Sequence, residues 1–171
     1  MSRTLIHRGR IFDFGVEELV LPNGHALKLE IIRHPGAAAI VPIHEDGTVT
    51  LVYQHRHAAG GMLYELPAGV LEAGEAPETC AARELDEEAQ LRPTKLDLLT
   101  VLHTTPGFTD ERIWVYLATG LVPSDGQPEA SEHLHAVRMP LREAVARVES
   151  GEITDAKTVS GLLLAARRLG I

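Results

Sequence analysis

Apolar and polar positions alternate in short runs through the first third of the chain, separated by turn residues, as half-buried strands do. Residues 4 to 34 read as antiparallel strands, with Val16 to Leu21 and Ala26 to Ile32 flanking the turn Pro22-Asn23-Gly24. Ala38 to Ile43 and Thr48 to Gln54 follow, joined by Glu45-Asp46-Gly47 in what reads as a second hairpin, and Leu63 to Leu66 is a short strand stopped by Pro67. The period then changes. A helix is predicted from near Pro77, which suits the first helical position, with Glu78 favouring its dipole. It should end by Arg92, because Pro93 biases its predecessor away from helical geometry. Leu96 to Thr104 and Arg112 to Leu121 read as strands around the loop Thr105-Pro-Gly-Phe-Thr-Asp-Glu111. Residues 123 to 132 are polar with Pro and Gly, hence loop, and His133 to Met139 alternates again. Pro140 to Ser150 and Asp155 to Leu169 carry helical spacing, with Gly151 and Gly170 as stops. Strands, a helix, strands and two helices predict a mixed α/β/α sandwich rather than an alternating parallel fold.

Composition narrows the classes of function. A chain of 171 residues is most simply one domain, long enough to bury roughly 70% of its unfolded surface. A net charge of −8 argues against a nucleic-acid backbone as partner. No apolar run approaches the roughly 20 residues of a spanning helix, so no membrane is expected. The start, Met1-Ser-Arg-Thr-Leu-Ile-His, lacks the apolar core of a signal peptide. Cys80 is the only cysteine, so no internal disulfide is possible and a reducing cytoplasm is the expected compartment. An acidic protein that takes an anionic ligand needs metal ions or a few placed arginines.

The predicted helix holds an unusual load of carboxylates. Runs of charge are usually solvated faces, and a helical wheel at about 100° per residue tests this. With Glu84 at the origin, Glu88 falls at about 40° and Glu87 at about 300°, among Cys80, Ala81, Leu85 and Leu91. Asp86, Gln90, Thr79 and Arg83 take the opposite, wet side. Glu84 and Glu88 therefore share the apolar face, where a solvated charge run would not be placed. Carboxylates about 5–6 Å apart repel by roughly 3 kcal/mol per pair at an effective dielectric near 20. Such a cluster must raise its pKa values or recruit cations, and hard oxygen donors suit Mg²⁺ or Mn²⁺.

Gly69, five residues, Glu75, seven residues, Arg83-Glu84-Leu85, one residue, Glu87-Glu88 resembles the Nudix box. The six Gly, Glu and Arg positions among these arise by chance on the order of 10⁻⁷ per window. The resemblance implies a loop-helix-loop on an α/β/α sandwich that sets a metal against a nucleoside diphosphate linked to another moiety. By position it implies metal ligands at Glu84, Glu88 and Glu87, with the backbone carbonyl of Ala68, and an ion pair of Arg83 with Glu75. Gln90 departs from the pattern by standing where the box has its last glycine. That glycine commonly allows a left-handed helix end, so the departure bears on the exit geometry, for which Pro93 offers another route.

Further on, Thr105 to Glu111 resembles the loop of the ADP-ribose pyrophosphatase branch, whose marker is a proline sixteen residues past the last glycine of the box; here it is Pro106, counted from Gln90. Gln54-His-Arg56, Thr154-Asp-Ala-Lys-Thr158 and a β-rich extension over residues 1–34, ahead of a Nudix domain at 35–171, resemble that branch too. In the branch the extension helps build a domain-swapped homodimer. The implied chemistry is attack of a metal-activated water on a phosphorus of ADP-ribose, giving AMP and ribose 5-phosphate. Arg56 is the candidate phosphate fork. Gly69, Pro106 and Gly107 are candidate substrate contacts, and Glu72 a candidate contact to substrate or metal. Glu111, on a loop expected to be mobile, and Glu87 are rival general bases, with Glu88 beside them. GDP-mannose, other ADP-sugars, a dinucleoside polyphosphate or a nucleoside triphosphate are alternative substrates, and a Nudix-like sensor without turnover is the alternative class. Nine histidines lack zinc spacing, and core packing is expected for Phe12, Phe14 and Phe108. Leu162-Leu163-Leu164 is expected in the core or in a dimer contact.

Overall fold

The computed structural model describes residues 2–127 and 133–171, so the predicted loop 123–132 lies outside the described residues from 128 on. The chain begins with β1 (Ser2–Arg8), β2 (Asp13–Val20) and β3 (Ala26–Arg33), a separate antiparallel sheet in that order. The predicted turn joins β2 to β3: the Gly24 N–H donates to Leu21 O and the Asn23 side chain accepts from the His25 N–H.

Two further sheets follow. One is mixed, in the order β7 (Ala68–Val70), β4 (Ala37–Pro42), β9 (Arg112–Pro123), β8 (Leu91–His103), with β4 and β9 parallel. The other is antiparallel: β10 (Leu134–Pro140), β5 (Thr48–Arg56), β6 (Gly61–Glu65). Every residue of β4 is buried, as a central strand covered on both faces requires. Ala38 and Ile40 pack with Cys80, Ala81, Leu85 and Ala89 of α1 (Pro77–Ala89) and with Tyr116 and Ala118 of β9. Ala37, Ala39 and Val41 face the opposite core, with Val115, Leu117 and, from α3 (Ala156–Leu169), Leu162, Ala165 and Ala166. The same core takes Leu141 and Ala144 of α2 (Leu141–Glu149). The α/β/α sandwich is therefore present, with the mixed sheet in its middle. Gly161 lets α3 settle on that sheet, since a Cβ there would meet Leu66 Cδ1 at 2.6 Å and Val41 Cγ2 at 3.1 Å.

The expected second hairpin needs correction. A tight turn does join β4 to β5, with the Gly47 N–H donating to His44 O and one isolated bridge from Ile43 to Val49. Beyond that bridge the strands part into different sheets. β4 spends both hydrogen-bonding edges on β7 and β9, and β5 spends its own on β10 and β6. The turn residues were legible; the competition for strand edges was not.

The end of α1 also differs from expectation. Pro93 does not stop the helix: β8 begins at Leu91 and takes Pro93 in as an edge strand can. The stop is Gln90 itself, left-handed at φ 54° and ψ 42°, alone among the described non-glycine residues in having a positive φ. Its N–H donates to Asp86 O, its carbonyl accepts from the Ser124 N–H at 2.9 Å, and its Nε2 donates to Gly126 O at 3.2 Å. A left-handed residue costs about 1–2 kcal/mol, and a net hydrogen bond recovers about 0.5–1.5 kcal/mol. Gln90→Gly should therefore leave stability within about 1 kcal/mol of wild type in urea unfolding, whereas β-branched Gln90→Val should lose about 2 kcal/mol. A Gln90→Val protein as stable as wild type would contradict the strain.

Candidate active site

Glu84 and Glu88 sit on the inward face of α1 with only 8% and 3% exposure, among the apolar residues that the wheel placed there. Glu87 stands at the edge, its side chain 35% exposed. Strand β7 lies against both buried carboxylates. The Ala68 N–H donates to Glu88 Oε2 at 2.8 Å. A Cβ at position 69 would come within 1.8 Å of Glu84 Oε1, so only glycine there leaves room for that carboxylate. The Cys80 thiol donates to Gly69 O at 3.5 Å, tying the strand to the helix once more. Burial and the nearby Glu84 and Glu75 push that thiol up to about 12, so it stays protonated and is no nucleophile.

Arg83 is the cation of this cluster. Its Nε and Nη2 donate to the two oxygens of Glu75 at 3.0 Å each, the ion pair expected from the box. Its Nη1 also reaches Glu84 Oε1 at 2.6 Å and Glu87 Oε2 at 3.2 Å. Hydrogen bonding to Arg83 holds the Glu75 carboxyl below its ordinary range, and Glu75 in turn accepts from the Glu72 N–H at 3.0 Å. The turn and the helix are thus one electrostatic unit. Glu72 itself is exposed at the lip of the turn.

A second cluster joins the ends of β5 and β6 to the start of α3; Arg56 was singled out from sequence, whereas Glu65 was not. Arg56, closing β5, donates through Nε and Nη2 to Glu65 at 2.7 and 2.9 Å. Glu65, closing β6, is 1% exposed and also receives the Lys157 ammonium. Lys157 reaches Asp155 at 3.1 Å, and Asp155 caps α3 by accepting from the Thr158 N–H and hydroxyl. The Thr158 hydroxyl accepts from the Leu66 N–H at 2.8 Å. Burial alone would raise the Glu65 carboxyl, but its bonds to Arg56 and the charge of Lys157 outweigh this and hold it low. The charge of Glu88 also acts on Arg56, placing the guanidinium within electrostatic reach of α1. Glu65 occupies the bidentate fork expected to hold phosphate, and Nη1 is the part of Arg56 that this pair does not use. The signal that could have exposed Lys157 is Thr154-Asp-Ala-Lys-Thr158, noticed only as a resemblance.

The loop after β8 is stapled rather than loose. Thr109 bridges Ile32 of β3 in parallel, the Ile32 N–H donates to Phe108 O, and Arg33 pairs with Asp110. Glu111 Oε2 accepts from the Thr104 hydroxyl at 2.9 Å. Pro106 and Gly107 are exposed at the tip. Phe12 and Phe108 are 41% and 49% exposed, contrary to the core packing expected of them, and Phe14 is half-buried. Of the leucine patch, Leu162 is core while Leu163 and Leu164 are exposed.

Among the described residues, no three His, Cys, Asp or Glu side chains form a group that could hold a metal ion on their own. A magnesium site does not require such a trio, since it commonly uses one or two carboxylates and leaves the rest to water and phosphate oxygens. Two buried carboxylates over a glycine-lined strand fit that donor set.

Fold and site together give a loop-helix-loop on an α/β/α sandwich, with two carboxylates buried on the inner face of its helix. The chain belongs to the NUDIX domain family, which matches residues 33–160. It is 42% identical over 167 residues to the ADP-ribose pyrophosphatase of Mycobacterium tuberculosis, covering 95% of this chain and 80% of that protein. It is 39% identical over 160 residues to the ADP-ribose pyrophosphatase of Bacillus subtilis, covering 92% and 86%. A crystal structure of an ADP compounds hydrolase superposes with a TM-score of 0.85 over 99% of this chain and 92% of that chain, a likeness of fold at 24% identity.

Millimolar Mg²⁺ or Mn²⁺ should raise the melting temperature of the wild-type protein and leave that of Glu84→Gln/Glu88→Gln unmoved. No shift in the wild type, or an equal shift in the double variant, would sink the metal reading.

Proposed function

We propose that the protein hydrolyses ADP-ribose to AMP and ribose 5-phosphate with a divalent metal. The observation that carries this reading is the buried pair Glu84 and Glu88 over Gly69, in a chain whose relatives named ADP-ribose pyrophosphatase align over more than nine tenths of it. Glu84 and Glu88, with Glu87 and the Ala68 carbonyl, would hold Mg²⁺, and Mn²⁺ can substitute. Bound there, the metal neutralises the pyrophosphate, which carries about two negative charges, and acidifies water.

The chain's own residues do the rest. Arg56 presents Nη1 to a phosphate oxygen while Glu65 fixes the plane of its guanidinium. Glu72, Gly69, Pro106 and Gly107 would contact the substrate, with the absence of a side chain at 69 leaving room for the Glu84 carboxylate. Water adds to one phosphorus and gives up a proton to Glu111, with Glu87 the rival acceptor and Glu88 holding the helix against Ala68. The P–O bond to the bridging oxygen breaks as the new one forms, so water's oxygen ends on one of the two phosphates.

The exposed sheet β1–β3, with Leu5, Ile6 and Val20 at 44%, 59% and 67% exposure, is read as the dimerisation extension of residues 1–34 to a domain at 35–171. No helix among the described residues is long and apolar enough to cross a membrane. A lone buried Cys80 fits a cytoplasmic setting.

Chromatography of products after incubation with Mg²⁺ and a panel of nucleoside diphosphate derivatives should give AMP from ADP-ribose. Turnover confined to GDP-mannose would replace the substrate, and binding without turnover would indicate a sensor. In the same assay the essential base, replaced by Gln at 87 or 111, should lose orders of magnitude in kcat with KM little changed, and wild-type rates in both variants would refute the assignment. Light scattering should return the mass of two chains; a monomer at micromolar concentration would refute the role given to the extension.

A further inference from the structure

We propose that Arg33 and Asp110 are positioning residues for Glu111, so that the N-terminal sheet sets the placement of the loop carrying the base. The inference rests on reading Glu111 as that base.

Arg33 closes β3, and each of its donor groups has an assigned place. Nε and Nη2 donate to Glu17 at 2.8 and 2.6 Å, and Nη1 donates to Asp110 Oδ2 at 2.9 Å. Glu17 is 3% exposed in β2 and also lies 3.6 Å from Arg3 Nε in β1. A buried bidentate partner fixes the plane of the guanidinium, so Nη1 is aimed rather than free to search. The other Asp110 oxygen accepts from the His34 N–H at 2.9 Å, and the Asp110 N–H donates to Ile32 O at 3.3 Å. Asp110 is thereby held at both carboxylate oxygens and at its amide by Ile32, Arg33 and His34, three consecutive residues spanning the end of β3.

Glu111 is the next residue. Its own N–H donates to Thr109 Oγ1 at 3.1 Å, and Thr109 bridges Ile32. The Thr104 N–H, just after β8, donates to Glu111 O at 3.4 Å, and the contacts of the residues before Glu111 lead to β3 and through Arg33 and Glu17 to the first sheet. Burial would push the Asp110 carboxyl up, but the Arg33 and His34 bonds outweigh it and keep the group charged. Displacements of about 1 Å remote from the chemistry can cost about a hundredfold in rate, so a loosened Asp110 should be read in turnover.

Asp110→Asn keeps the shape and the acceptor for His34 while removing the charge that Arg33 seeks. Arg33→Met removes the donor from the other side. With ADP-ribose and Mg²⁺, each should lower kcat by about ten- to a hundredfold with KM changed less than about threefold. The double variant should be no worse than the poorer single one, Arg33→Lys should recover part of the rate, and amide exchange at 109–111 should quicken in Asp110→Asn. If Arg33→Met fails to fold, Asp110→Asn carries the test, because it leaves the Arg33–Glu17 pair intact. Unchanged kcat in Asp110→Asn beside an inactive Glu111→Gln would overturn the positioning role alone. A fully active Glu111→Gln would overturn the base reading, and the positioning role with it.

Discussion

Everything at the site depends on keeping several carboxylates together on the apolar side of one helix. Pairs at helix-neighbour distance repel by roughly 3 kcal/mol at an effective dielectric near 20, and Glu84 and Glu88 are nearly dry. The protein offsets this with Arg83, which spreads five donor contacts over Glu75, Glu84, Glu87 and the Val70 carbonyl. A single guanidinium can relieve such a cluster only in part. In the proposed function a divalent cation at the seam between β7 and α1 would supply the rest and carry the pyrophosphate. The order of causes runs from burial to repulsion to cation demand, and the chemistry follows from it.

The fold exists to hold that seam still. A central strand buried on both faces gives α1 a flat, small-residue surface at Ala38 and Ile40, and glycine at 69 lets the Glu84 carboxylate lie directly on β7. On the far side, Glu65 converts two mobile cations, Arg56 and Lys157, into a rigid pair, and Asp155 and Thr158 anchor them to the start of α3. One carboxylate cluster would, in the proposed function, take a metal, while the second already holds Arg56 and Lys157. The opposition of the two suits a substrate that is anionic at its phosphates and must be gripped by both.

Much of this was legible in the chain because it is local. Helical spacing put Glu84 and Glu88 inward, the spacing from Gly69 to Glu88 pointed to the Nudix box, and Pro106 marked the loop beyond it. The NUDIX domain match and the relatives named ADP-ribose pyrophosphatase bear out the family and the substrate reading. What escaped is non-local. The turn at Glu45-Asp46-Gly47 could not say that β4 would be claimed by β9, more than seventy residues on. Nor could Arg56 reveal that Glu65 would occupy its fork, or Lys157 that it would meet Glu65 across 92 positions. Gln90 shows a third kind of limit: a residue with a poor propensity for the left-handed region took it because Ser124 and Gly126 supplied partners for its carbonyl and amide. Phe12 and Phe108 lie exposed because the elements bearing them, the first sheet and the stapled loop, stand outside both cores.

The most direct measurement is a titration of the protein with Mn²⁺ followed by electron paramagnetic resonance, with and without a non-hydrolysable ADP-ribose analogue. Free Mn²⁺ signal should fall in the wild type, fall further with the analogue present, and persist in Glu84→Gln and Glu88→Gln at the same concentrations. Equal loss of free signal in wild type and both variants would contradict a metal site built on those two buried carboxylates.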